Sequence, residues 1–301
     1  MTSSGHMDRR HFLSATSALL LAAACQSVPA PIPTKRQISK VGLQTYTLRD
    51  AMAGDFVGTF QMIKDVGYDF VELNGRNFAD RSPDDLRKIL DDVGLPAPAT
   101  HVDYDSLAKE PAKLADTASI LGCKFAILPY LSDDQRRLDD YKRHADMLNR
   151  SAEAMKSTGV SVAYHNHQFE FLDLGDGQTG MDILLSETDP DLVSFELDMF
   201  WAALAQVDIP ALMTANVGRF RLCHIKDMSG DPTALMASGD YGKIVSELMV
   251  NVGEGSLPFE SYFALNDVSG MEYFIAEHDG PSKPYRKSIQ TSYDAIKAMR
   301  F

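Results

Sequence analysis

Seven short apolar runs in this chain end on or beside a side chain able to ligate a metal or move a proton: Tyr46, Glu72, His101, His165, Asp198, His224 and Glu277. Imidazole nitrogens and carboxylate oxygens donated by separate stretches suit one divalent ion such as Mn²⁺, Mg²⁺, Zn²⁺ or Co²⁺. Buried carboxylates are costly unless paired, and a dication supplies the missing charge. Asp198, His224 and Glu277 are the residues expected to hold it. An ion that binds a carbonyl and its neighbouring hydroxyl acidifies the adjacent C–H. His165, His167 or a second acid such as Glu72 could take that proton, and Lys226 could bind the oxygen that becomes anionic. Tyr46, His101 and Glu72 would then contact substrate. Trp201 is the single tryptophan and lies three residues after Asp198, where its ring either faces a bound substrate or serves the core.

For these groups to meet, the runs must lie parallel with like ends together. Beyond Lys40 short apolar strands alternate with amphipathic helices. The strand candidates are 41–46, 70–74, 97–101, 125–129, 160–165, 193–198, 220–224 and 273–277, with helices at 84–93, 112–121, 134–157 and 285–299 among those between them. Ser82-Pro83-Asp84-Asp85 carries a cap, a first-turn proline and acids at the positive helix end. Eight such repeats predict a single (β/α)8 TIM barrel of α/β class, with its site at the C-terminal strand ends. No G-x-G-x-x-G opens the first helix, which removes the main support for a dinucleotide fold. Period-two alternation places Glu196 and Asp198 inward on the sixth strand and Ala163 and His165 inward on the fifth. On the seventh, Phe220, Leu222 and His224 are expected to share one face. Glu196 would then support the metal ligands from below.

The first seven residues read as a vector-derived leader. Residues 8–24 hold the pair Arg9-Arg10 and an apolar stretch ending in Ala22-Ala23-Ala24, the order of a twin-arginine export signal. Cys25 follows where a lipoprotein would be acylated, and residues 25–40, with Pro29, Pro31 and Pro33, form a tether. The expectation is an exported protein, periplasmic or anchored through Cys25, with the catalytic barrel at 41–301. The formal charge of -13 argues against a nucleic-acid partner. Three cysteines without short spacing exclude a disulfide scaffold, and Cys123 and Cys223 read as buried thiols. A small molecule is the expected partner, and the chain is compatible with a homo-oligomer.

The segment Tyr164-His165-Asn166-His167-Gln168-Phe169-Glu170-Phe171 resembles the Y-H-N-H-x-x-E-F stretch of the xylose-isomerase-like barrel superfamily. That group holds sugar isomerases and epimerases and the barrel endonucleases acting at abasic DNA sites. Leu43–Asp50, Glu196-Leu197-Asp198-Met199-Phe200-Trp201, His224-Ile225-Lys226-Asp227-Met228, Val252-Gly253-Glu254-Gly255 and Glu277-His278-Asp279 match in the same order. The resemblance implies a metal held by Asp198, His224, Glu277 and an acid near the fifth strand. Many relatives carry a Glu at that strand end, where this chain has His165. Either His165 ligates, or Glu170 folds back from the loop; Glu170 is preferred, which leaves His165 and His167 for substrate and proton transfer. The implied activity is a metal-dependent isomerase or epimerase on a non-phosphorylated sugar or keto-sugar. The alternative is a lyase or dehydratase on a keto-sugar or 3-keto-glycoside. A non-catalytic sugar-binding lipoprotein is more remote. The endonuclease class needs more His ligands, and Trp201 stands where one of them would be expected.

Overall fold

The alternation of apolar strands and helices closes on itself. In the computed structural model, which describes residues 35–75 and 80–301, eight parallel strands form a closed barrel. They are β1 (Gly42–Gln44), β2 (Phe70–Asn74), β3 (Ala99–His101), β4 (Phe125–Leu128), β5 (Ser161–His165), β6 (Val193–Asp198), β7 (Phe220–Ile225) and β10 (Tyr273–Ala276). Between β7 and β10 a short antiparallel pair, β8 (Asp227–Met228) and β9 (Met249–Val250), stands beside the rim. The chain is a (β/α)8 TIM barrel, as its sequence pattern predicts. The leader, the export signal, Cys25 and the start of the tether lie outside the described residues. Arg36 and Phe301 exchange two backbone hydrogen bonds and Ile38 is buried, so residues 36–40 pack with the barrel instead of extending the tether. No helix among the described residues is long and apolar enough to cross a membrane.

Helix boundaries follow local chemistry. Ser82 Oγ caps the helix Pro83–Val93 by accepting from Asp85 N at 3.1 Å, and Gly94 ends it at φ 71°. The stretch expected as one helix over 134–157 is instead a 3₁₀ turn, Asp133–Gln135, followed by the helix Leu138–Met155. The break brings Asp133 and Arg136 to the barrel mouth.

Inside the barrel, the lower half is an apolar plug of Phe70, Phe125, Ile127, Leu222, Ile275 and Ala163. Gly42 makes room for it: a Cβ there would fall 2.2 Å from the Phe70 ring. Val162 and Tyr164 on β5, and Val193, Phe195 and Leu197 on β6, face the helices as expected. The seventh strand departs from the pattern. Phe195 pairs with Phe220 but Glu196 pairs with Leu222, so Arg221 is one residue too many. This bulge sends Phe220 out against Phe195, with ring centroids 5.9 Å apart, while Leu222 and His224 stay inside. Cys123 and Cys223 are buried free thiols.

Candidate active site and metal centre

Above the apolar plug the inward residues become polar and form two layers. In the lower layer Glu72 Oε1 accepts from Gln44 Nε2 at 2.6 Å and lies 2.7 Å from His224 Nε2 and 2.9 Å from His101 Nε2. Glu196 Oε2 sits 3.0 Å from His101 Nε2, 3.1 Å from His165 Nδ1 and 3.2 Å from His224 Nε2. Burial alone would depress both bridging imidazoles. The carboxylates win, holding His101 up to about 9 and His224 well above the ordinary histidine value.

The upper layer is built at the strand ends. Asp198 closes β6 and caps the helix Met199–Leu204, its Oδ1 accepting from Trp201 N at 3.0 Å. Asn166 ties the end of β5 to it, donating from Nδ2 to Asp198 O at 3.2 Å and accepting from Asp198 N at 3.0 Å. The cap leaves Asp198 Oδ2 turned to the interior, 3.0 Å from Lys226 Nζ. Lys226 Nζ also reaches Glu277 Oε2 at 2.7 Å and Asp279 Oδ1 at 2.9 Å. His224 Nδ1 lies 2.7 Å from Glu277 Oε2 and 3.9 Å from Asp198 Oδ2. Burial lifts the Asp198 carboxyl to about 6 despite Lys226. For Glu277 burial is outweighed by Lys226 and His224, which hold it far below the carboxylate range.

These residues fit a divalent cation. The donor atoms of Asp198, His224 and Glu277 lie within 4.8 Å of one another. Asp198 Oδ2 and His224 Nδ1 are buried and, close as their charged neighbours stand, make no well-directed hydrogen bond. Five carboxyls, those of Glu72, Glu196, Asp198, Glu277 and Asp279, converge on three cationic groups, His101, His224 and Lys226. A dication that displaced the proton from His224 would offset the negative charge left there. At the fifth strand His165 is the donor brought near, its Nε2 3.7 Å from Asp198 Oδ2.

Glu170 is placed elsewhere. It sits in the 3₁₀ turn Phe169–Phe171, which turns its carboxyl away from the cluster. One oxygen accepts from Tyr164 OH at 2.5 Å and the other from His167 N at 2.8 Å. Tyr164 belongs to the outer face of the barrel, so the expected fold-back of Glu170 does not occur.

A cavity of about 480 Å³ opens over the upper layer. Tyr46, His101, His165, His167, Lys226 and Glu277 line it. Two expected substrate contacts do not. Glu72 is fully buried under His101 and His224, with its charge spent on them. Trp201 is fully buried behind the wall, stacked between His167 at 5.3 Å and Tyr241 at 5.4 Å. The Val252–Gly255 loop wraps Asp227, to which Gly253 N and Gly255 N donate at 2.9 and 3.1 Å, rather than shaping the cavity.

Burial keeps the imidazoles of His165 and His167 well below the ordinary value and hence neutral at pH 7. His167 Nδ1 is buried without a hydrogen-bond partner, and the residue lines the cavity. Tyr130, Tyr241 and Asp279 are among the lining residues that the sequence reading did not assign to the site. Asp279 had a signal, because it follows Glu277 by two in a strand-end motif; Tyr241 had none.

Barrel and mouth together define a (β/α)8 protein with a buried acid–imidazole cluster that could hold a cation beneath an open cavity. A family model described as a xylose isomerase-like TIM barrel matches residues 60–298, and the chain belongs to that family. An inosose dehydratase of Geobacillus kaustophilus (strain HTA426) is 26% identical over 244 residues, 71% of this chain and 78% of that protein. The crystal structure of a sugar phosphate isomerase/epimerase from Parabacteroides distasonis ATCC 8503 has a TM-score of 0.71 and 25% identity, covering 91% of this chain and 98% of that one. An IolI protein solved with a bound zinc atom shares the fold, with a TM-score of 0.64 and 18% identity over 85% of this chain and 96% of its own.

Proposed function

We propose that the protein is a divalent-metal-dependent isomerase or epimerase that takes the proton beside the carbonyl of a non-phosphorylated sugar or keto-sugar and returns it at another position. The observation that carries this reading is the convergence of Asp198, His224 and Glu277 donor atoms within 4.8 Å under an open cavity. Asp198, His224 and Glu277 would hold the ion, with His165 the nearest further donor. The bound ion supplies Lewis acidity that polarises a carbonyl and stabilises an adjacent anion.

The chain's own residues account for the rest. His167, neutral and lining the cavity, takes the proton and gives it back. Lys226 carries the fixed positive charge opposite the oxygen on which negative charge develops. Tyr46 and His101 orient hydroxyls, and Asp279 holds Lys226 in place. Asn166 and the Asp198 cap fix the ligands on rigid strand ends. With the export signal read from the sequence, the reaction belongs outside the cytoplasm.

A second reading, loss of water from a keto-sugar, is favoured by the inosose dehydratase relative. Both begin with the same proton abstraction. The test is turnover of candidate keto-sugars in deuterated water. Label entering the carbon beside the carbonyl of an unchanged-mass product supports isomerisation or epimerisation. A dehydrated product absorbing in the ultraviolet supports the second reading, and no label in any sugar contradicts both.

A further inference from the structure

We propose that the Lys226 ammonium competes with the metal for Asp198 and Glu277, and that it yields both to the ion by withdrawing onto Asp279, where its N–H groups become available to substrate. The inference rests on the metal-dependent reading above and adds to it how loading of the site is regulated.

The contest is over two oxygens. Asp198 Oδ2 is the one its helix cap leaves turned to the interior, and Glu277 Oε2 is the one facing His224 Nδ1 at 2.7 Å. Lys226 Nζ stands 3.0 Å from the first and 2.7 Å from the second. All three side chains are buried, so an ion drawn to the same pair of oxygens meets a like charge at contact distance with little water to screen it. Held between those carboxylates, the ammonium also has no N–H to spare for an oxygen in the cavity. Its charge can serve the reaction once the two ligands belong to the ion.

The contacts of Lys226 are unequal in a way that sets the direction of the exchange. Its directed hydrogen bond runs to Asp279 Oδ1 at 2.9 Å, whereas Asp198 Oδ2 accepts none. Asp279 stands outside the group Asp198, His224 and Glu277 that could hold the ion, and it is fixed without it. Its Oδ2 accepts from Tyr241 OH at 2.9 Å, and its backbone carbonyl accepts from Arg49 Nη2 at 2.8 Å. The Trp201 ring lies 5.8 Å from Nζ and offers the ammonium an aromatic face as well. Lys226 can therefore give up both ligand oxygens and keep an anionic partner. Lys226 and Asp279 both line the cavity, so the N–H groups released in this way are next to bound substrate.

The experiment measures Zn²⁺ and Mn²⁺ dissociation constants by calorimetric titration of protein purified in metal-depleted buffer. Lys226→Met is expected to tighten binding by about ten- to a hundredfold, the range of an ordinary coupling between two sites. Lys226→Gln, which keeps N–H donors for the carboxylates, is expected to tighten it in smaller measure and replaces Lys226→Met if that variant does not fold. Asp279→Asn removes the charge onto which Lys226 withdraws. It is expected to weaken binding about tenfold in the wild type, and by less than about twofold in a chain already lacking the lysine. A general charge effect of Asp279 would instead be equal in the two backgrounds. That equality, or an affinity that Asp279→Asn leaves unmoved, or one that neither Lys226 variant tightens, overturns the inference and leaves the metal reading standing. No ion bound by the wild type or by any variant overturns both.

Discussion

Asp198 does two jobs with two oxygens. Oδ1 holds the first turn of a helix and Oδ2 faces the cation site, so the cap sets the direction of the ligand. His167 is arranged comparably: its backbone N–H is held by Glu170 while its ring, stacked on Trp201, lines the cavity. His167→Ala is therefore expected to keep its metal and lose about 10²–10⁴-fold in proton exchange, the usual worth of a general base. Metal analysis beside isotope exchange checks this, and unchanged exchange removes His167 from the role. At this scale the convergence of Asp198, His224 and Glu277 was legible, because an acid or imidazole ending an apolar run must be paired with something. Glu170 was not. Its sequence neighbourhood is that of a site residue, and only the 3₁₀ turn shows that its carboxyl serves Tyr164 and the loop. Trp201 illustrates the same limit, since spacing gives a position near the site but not which side of the wall the ring takes.

The barrel was readable from alternation alone, with strand positions correct to a few residues; the bulge was not, because an extra residue leaves no mark on a two-residue period. Two predictions belong to elements. Gly42 on β1 faces the Phe70 ring, which Tyr273 holds edge-on at 5.8 Å. Gly42→Ala should cost about 1–3 kcal/mol by overpacking, read as a lower urea midpoint at unchanged slope; an unshifted midpoint contradicts the packing described. The loop after β5 carries a pH signature. Burial raises the Glu170 carboxyl to about 7, so between about pH 4.5 and 7 the folded chain binds more protons than the unfolded one. Its contribution makes stability fall as pH rises through that window. Glu170→Gln should remove this component, so the variant gains on the wild type as pH is raised from 4.5 to 7. Parallel stability curves for the two proteins would refute it.

Across the whole molecule, an acidic chain with a net charge of -13 concentrates five carboxyls at the mouth of one barrel, on an apolar plug that keeps water from below. A metal held by such a centre would couple binding to folding. An ion bound by the native state alone stabilises it by about 4 kcal/mol at a thousand times its dissociation constant. Asp198→Asn keeps an oxygen for the Trp201 cap but gives up the charge that faces the ion. The most direct measurement is the metal content of wild type and Asp198→Asn after purification in metal-depleted buffer and titration with Zn²⁺ or Mn²⁺. The expected result is one ion per wild-type chain and a raised Tm, with almost no ion and no Tm response in a folded Asp198→Asn. Equal metal in the two proteins, or none in the wild type, would contradict the account.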